Sequence, residues 1–106
     1  MSRITAKELK AAMDAGKPMR LIDVREPGEY DLCHINGAEL IPMSQFPEKA
    51  PETLGDHETV VLYCHHGTRS MRALQYLHYQ GYSKVFSLEG GIDTWAVEMD
   101  PVMKRY

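Results

Sequence analysis

The sequence predicts a three-layer α/β domain built on a mostly parallel sheet. Strand-like and helix-like patterns alternate along the chain, and the connections between them are short. A cysteine in a polar loop follows directly on an apolar strand, and parallel sheets bind ligands beyond such strand ends.

Taken in order, Thr5-Ala6-Lys7-Glu8 is a capping box, with Ile4 and Leu9 as an apolar staple around it. The helix it opens runs from about Ala6 to Ala15. Leu9, Ala12 and Met13 form its stripe, and Gly16 suits the position after its end. Met19–Val24 reads as a strand, and Pro27 starts a short helix through about Leu32. Ala38–Ile41 is a brief strand stopped by Pro42. From Met43 to Gly55, Pro42, Pro47 and Pro51 break any long element, leaving loops and one helical turn. Thr59–Tyr63 is a buried strand that leads into Cys64. Helix Arg69–Gln80 places Ser70, Ala73, Leu74 and Leu77 on one face, with Gly81 after it. Lys84–Leu88 is a further strand. Gly90-Gly91 then turns the chain into a last short helix carrying Ile92 and Trp95, and the tail from Met99 is peripheral.

The chain of 106 residues is long enough for one core, so residues 1–106 read as a single domain. Its 43% hydrophobic and 25% charged content is that of a globular protein. A net charge of -3 and the lack of a basic run argue against nucleic acid or an anionic membrane as partner. No apolar leader or membrane-length run is seen, which points to the cytoplasm. Cys33 and Cys64 are too few for a disulfide framework and lack CxxC spacing. Seven methionines fill core space most simply.

The chemistry centres on Tyr63-Cys64-His65-His66-Gly67-Thr68-Arg69-Ser70. A thiol between a strand end and a helix start meets converging N–H groups and the positive end of the helix dipole. That setting favours the thiolate, the nucleophilic form. The alternative is an inert buried thiol, but the loop around it is polar and helix-opening.

Three motifs on either side carry a family resemblance. Asp23-Val24-Arg25 with Glu29-Tyr30, His34-Ile35, Gly37-Ala38 and Ile41-Pro42 resembles the N-terminal signature of rhodanese domains. Cys64-x-x-Gly67-x-Arg69-Ser70 is similar to their active-site loop, and Glu89-Gly90-Gly91-Ile92-x-x-Trp95 to their C-terminal signature. Cys33 stands where Gly is frequent and Asn36 where Pro is common. The resemblance covers about Ile4 to Val97 and implies a parallel five-stranded sheet with helices on both faces. It also implies sulfur transfer through a cysteine persulfide, in the stand-alone single-domain form and without a cofactor.

On that resemblance Cys64 is the catalytic nucleophile, taking the outer sulfur of thiosulfate and yielding it to cyanide or a thiol. His65, His66, Gly67, Thr68, Arg69 and Ser70 form the substrate-binding loop. Its N–H groups cradle the anion, Gly67 gives the backbone freedom, and Arg69 adds a fixed positive charge. Thr68 and Ser70 cap the helix or donate to the persulfide, and the two histidines add charge or merely fill the loop. Asp23, Arg25 and His34 are structural supports. Cys33 is a small packed side chain or, alternatively, a resolving thiol. Trp95 anchors the core behind the loop. No metal is expected, because adjacent histidines point apart and no third ligand accompanies them.

Other functions stand beside this one. A mercaptopyruvate sulfurtransferase of the family places small residues after its cysteine, where two histidines stand here. Phosphatases and arsenate reductases on the same fold use a loop one residue longer than the four residues between Cys64 and Arg69. A persulfide carrier or regulatory module working with an acceptor protein shares the site with the enzyme.

Overall fold

The computed structural model describes residues 2–55 and 57–106; Met1, at the start of the expected domain, and Asp56 lie outside the described residues. Five strands form one sheet: β1 (Arg3–Ile4), β2 (Arg20–Asp23), β3 (Glu39–Leu40), β4 (Val60–Tyr63) and β5 (Val85–Leu88). Their spatial order is β1-β5-β4-β2-β3, and every pairing is parallel. The helices are α1 (Ala6–Asp14), α2 (Pro27–Leu32), α3 (Phe46–Thr53), α4 (Thr68–Tyr79) and α5 (Gly91–Glu98). None of them is long and apolar enough to cross a membrane.

Side chains alternate across a strand, so each strand supplies both faces. On β4, Val60 and Leu62 face a core built with Phe46 and Ala50 of α3 and Ala73, Leu74 and Leu77 of α4. Val61 and Tyr63 face the other core, with Leu9 of α1 and Ile92 and Trp95 of α5. Cys64 continues the alternation and falls on the α4 side. The strand order also creates a switch point. From β2 the chain moves outward to β3, whereas from β4 it moves the opposite way to β5. The crevice between the ends of β2 and β4 is where such sheets bind ligands. Val24-Arg25 and Cys64 leave the sheet there, joined by the Val24 N–H to the Tyr63 carbonyl at 3.0 Å.

Three sequence expectations need correction. The stretch from Met43 to Gly55, read as loop with one turn, holds a 3-10 turn at Met43–Gln45 and then the helix α3. Pro47 sits in the first turn, where its missing N–H has no helical partner anyway. Pro51 forgoes one bond inside the helix, and burial of Phe46 and Ala50 holds the turn together. The edge strand β1 was not anticipated; its two residues are too short for any periodicity and are held by Ser87 N–H to Ser2 O and Glu89 N–H to Ile4 O, each 2.9 Å. The tail from Met99, read as peripheral, is mostly exposed yet makes specific contacts. Arg105 pairs with Asp93 at 3.0 Å, and Tyr106 reaches the β2–α2 loop.

Candidate active site

Cys64 lies one residue beyond β4 and is 2% exposed. Its Sγ accepts the N–H of Gly67 at 3.0 Å and of Ser70 at 3.4 Å, and lies 3.6 Å from Ser70 Oγ. Ser70 is the third residue of α4, whose N-cap, Gly67, has no capping side chain. The third N–H of a helix is the one an N-cap side chain ordinarily satisfies. The cysteine sulfur takes that part. Capping by the Thr68 or Ser70 hydroxyl, expected from sequence, is not the arrangement: Thr68 is exposed, and Ser70 Oγ donates to the Gly67 carbonyl at 3.1 Å. Gly67 has φ 120°, a conformation costly for any residue with a Cβ, and this turn brings its N–H onto the sulfur.

The loop is gripped from behind by α5. The N–H groups of Ile92 and Asp93 donate to the carbonyls of Cys64 (2.9 Å) and His65 (3.2 Å). Gly91 makes that approach possible: a Cβ there would lie 2.4 Å from His65 O and 2.5 Å from Cys64 O, at φ +61°. Gly91→Ala is therefore expected to lower both melting temperature and turnover, since the backbone of the loop itself must shift. Gly28→Ala is the control. Gly28 is helical with open space around its Cβ, so that change should leave stability equal or raised by up to about 1 kcal/mol. Equal melting temperatures for the two variants would refute this role for Gly91.

The His65, His66 and Arg69 side chains each meet partners other than the sulfur. The His65 ring stacks on Tyr106 (3.9 Å, 9° between planes) and meets the His66 ring at a tilt of 31° (4.0 Å). Burial, and after it the neighbouring His66, holds the His65 imidazole below its ordinary value. His66 is exposed, its Nδ1 4.0 Å from Asp93. Arg69 forms a two-pronged pair with Glu29, at 2.7 and 3.0 Å. The Arg69 guanidinium, foremost among its partners, pulls the Glu29 carboxyl down from 4.5 to about 2. Because that pKa is lowered on folding, the stabilisation is complete above about 4.5 and is lost as pH falls through about 2. A cleft of about 380 Å³, bordered by Arg3, His66, Gly67, Thr68, Ser87 and Gly90, adjoins the loop.

The expected supports divide in two. Asp23 and Arg25 are fully buried, and the carboxylate takes Arg25 Nε at 2.9 Å, Nη2 at 2.5 Å and the Arg25 N–H at 2.9 Å. Arg25 then reaches the Cys33 carbonyl at 2.6 Å and Tyr106 OH at 2.9 Å. This cluster ties the end of β2 to the segment after Met99. His34 stays apart, stacked on Tyr30 at 4.0 Å with Nδ1–H on the Tyr30 carbonyl at 3.0 Å. Cys33 is half-buried, with its sulfur packed against the α1–α5 core and 3.9 Å from Arg25 Nη1.

Three residues outside the expected set also border the site: Ser87, Glu29 and Tyr106. Ser87 Oγ shares a hydrogen bond of 2.7 Å with Ser70 Oγ, beneath the sulfur. Its signal was a serine on the inner face of β5, aligned with Val85. Glu29 was legible only as a letter of a motif, and nothing local marks Tyr106. Among the described residues no group of three or more His, Cys, Asp or Glu side chains could hold a metal ion.

The profile described as "Rhodanese-like domain" matches residues 5–98. The probable adenylyltransferase/sulfurtransferase MoeZ of Mycobacterium tuberculosis is 43% identical over 106 residues, covering 99% of this chain and 27% of that protein. The chain thus spans about a quarter of the length of the first curated relatives it matches. A sulfurtransferase of Allochromatium vinosum is 34% identical over 97% of this chain and 95% of its own length. The crystal structure of a rhodanese-related protein from Thermoplasma volcanium superposes with a TM-score of 0.84 at 31% identity, over 98% of this chain and 100% of that one.

Proposed function

The chain belongs to the rhodanese-like family of sulfurtransferases and sulfur carriers, and on that footing we propose that it moves the sulfane sulfur of thiosulfate through a persulfide on Cys64. The Cys64 thiolate attacks the outer sulfur of the donor. A Cys–S–S bond forms, the bond to the sulfonate sulfur breaks, and sulfite departs with that electron pair. Cyanide or an acceptor thiol then attacks the outer sulfur of the persulfide and carries it off, and the electron pair of the broken S–S bond returns to Cys64 as thiolate.

The observation that carries this reading is the pair of N–H groups, Gly67 and Ser70, aimed at the sulfur. They supply fixed partial positive charge where attacker, donor and leaving group are all anionic, at no cost of reorganisation during the reaction. Arg69 stands at the rim of the same loop and meets the donor's oxyanion. His65 shapes the loop through its stack on Tyr106, while the exposed His66 borders the cleft beside it. The single sheet, with a core on each face, supports reading the chain as one domain that includes the segment after Met99.

The test is steady-state turnover with thiosulfate and cyanide. Thiocyanate should form with the parallel double-reciprocal lines of a two-step exchange. Hydrolysis of a phosphate ester with no sulfur adduct would overturn the proposal. A persulfide that forms readily but is not drawn off by cyanide would instead assign the chain to the carriers, its acceptor a partner protein.

A further inference from the structure

Arg69 does not rest on the sulfur; it rests on Glu29. Glu29 Oε1 accepts from Arg69 Nη1 at 2.7 Å and from the Glu26 N–H at 3.1 Å. Glu29 Oε2 accepts from Arg69 Nη2 at 3.0 Å and from Tyr106 OH at 2.8 Å. Each carboxylate oxygen therefore has one donor besides the arginine. Tyr106 is itself held by the buried Arg25, whose Nη1 donates to its hydroxyl at 2.9 Å, and by its stack on His65. The Arg69 side chain is 35% exposed, so packing does not lock it in place. Its guanidinium is held up by Glu29 first, and the nearby Cys64 adds to the effect.

We infer that Glu29 and Tyr106 are positioning residues that set how readily Arg69 reaches the sulfur donor. Glu29 parks the guanidinium beside the loop. Tyr106 lowers the cost of leaving, because Oε2 keeps its hydroxyl and Oε1 keeps the Glu26 N–H once Arg69 swings to the donor's oxyanion. A buried or half-buried carboxylate stripped of all its donors would resist that movement. Glu29 stays ionised across the working range of pH, so the parking does not titrate away. The inference rests on the reading above that Arg69 meets the donor anion.

Two conservative variants should move the KM for thiosulfate in opposite directions. Glu29→Gln replaces the charged fork by an amide that holds a guanidinium weakly, and KM should fall by about three- to tenfold. Tyr106→Phe keeps the ring stack but removes the donor that Oε2 needs when Arg69 leaves, and KM should rise by roughly two- to fivefold. A merely structural role would move both the same way, or would move kcat instead. Arg69→Ala tests the premise separately and should raise KM about tenfold or more. In the Arg69→Ala background, Glu29→Gln should have no further effect, because its action passes through the arginine. An Arg69→Ala chain with unchanged KM would overturn the premise. A raised KM for Arg69→Ala, with Glu29→Gln and Tyr106→Phe shifting together or not at all, would overturn the parking inference alone. Melting curves of each variant establish that folded protein is being compared.

Discussion

Replacing Cys64 by serine should reduce sulfur transfer from thiosulfate by roughly 10⁴-fold or more, the scale of losing a covalent nucleophile. The variant should remain folded. A serine hydroxyl occupies less space than the thiol and meets the same Gly67 and Ser70 N–H groups, so no buried polar atom is stranded. Melting temperature should shift by only a few degrees, which separates loss of chemistry from loss of structure. Cys33→Ser is the informative companion. Its sulfur packs against the α1–α5 core, 3.9 Å from Arg25 Nη1, and that variant should keep turnover. Residual transfer in Cys64→Ser comparable to the parent would remove Cys64 from the mechanism.

The second large effect concerns stability. Asp23→Ala should cost about 3–5 kcal/mol, because it leaves the Arg25 guanidinium fully buried without its counter-charge. At about 4–8 °C per kcal/mol for a domain of this size, the melting temperature should fall by more than about 10 °C. The double change Asp23→Leu with Arg25→Met removes both charges together and should recover much of that loss. It would not recover the anchor for Tyr106, since Arg25 Nη1 would no longer meet its hydroxyl. The double variant is thus expected to be stable yet altered toward thiosulfate in the sense of Tyr106→Phe. A fall of less than about 2 °C for Asp23→Ala would contradict the account of this pair.

What the sequence revealed follows the range of the interactions involved. The capping box at Thr5–Glu8 formed as written, with Thr5 N–H to Glu8 Oε1 at 2.9 Å and Glu8 N–H to Thr5 Oγ1 at 3.1 Å. The buried face of α4, Ser70, Ala73, Leu74 and Leu77, is the one its spacing marked. These are contacts within one or two turns, which local pattern records directly. The strand-to-helix passage at Cys64 is equally local, and so was legible.

The errors have a different origin. Helix α3 was missed because Pro47 and Pro51 read as breakers, although one lies where no N–H is needed and the other is outweighed by apolar burial. The Glu29–Arg69 pair and the Tyr106–Arg25 contact join residues 40 and 81 positions apart, and no periodicity reports such closures. Arg69 stands in the first turn of α4, where a cation opposes the helix dipole. The observed remedy for that conflict is the Glu29 carboxylate, which stands where a bound anion would otherwise be required. Gly91 was legible as a turn; that it also lets α5 grip the loop is a property of the close approach and not of the turn.

Whether Cys64 carries the transferred sulfur is read by intact mass spectrometry after brief exposure to thiosulfate. A gain of about one sulfur atom per chain is expected, mapped by peptide analysis to Cys64 and discharged on adding cyanide. The same gain should appear in Cys33→Ser and be absent in Cys64→Ser. An unmodified Cys64 in a protein that still turns thiosulfate and cyanide into thiocyanate would show that the sulfur travels by another route.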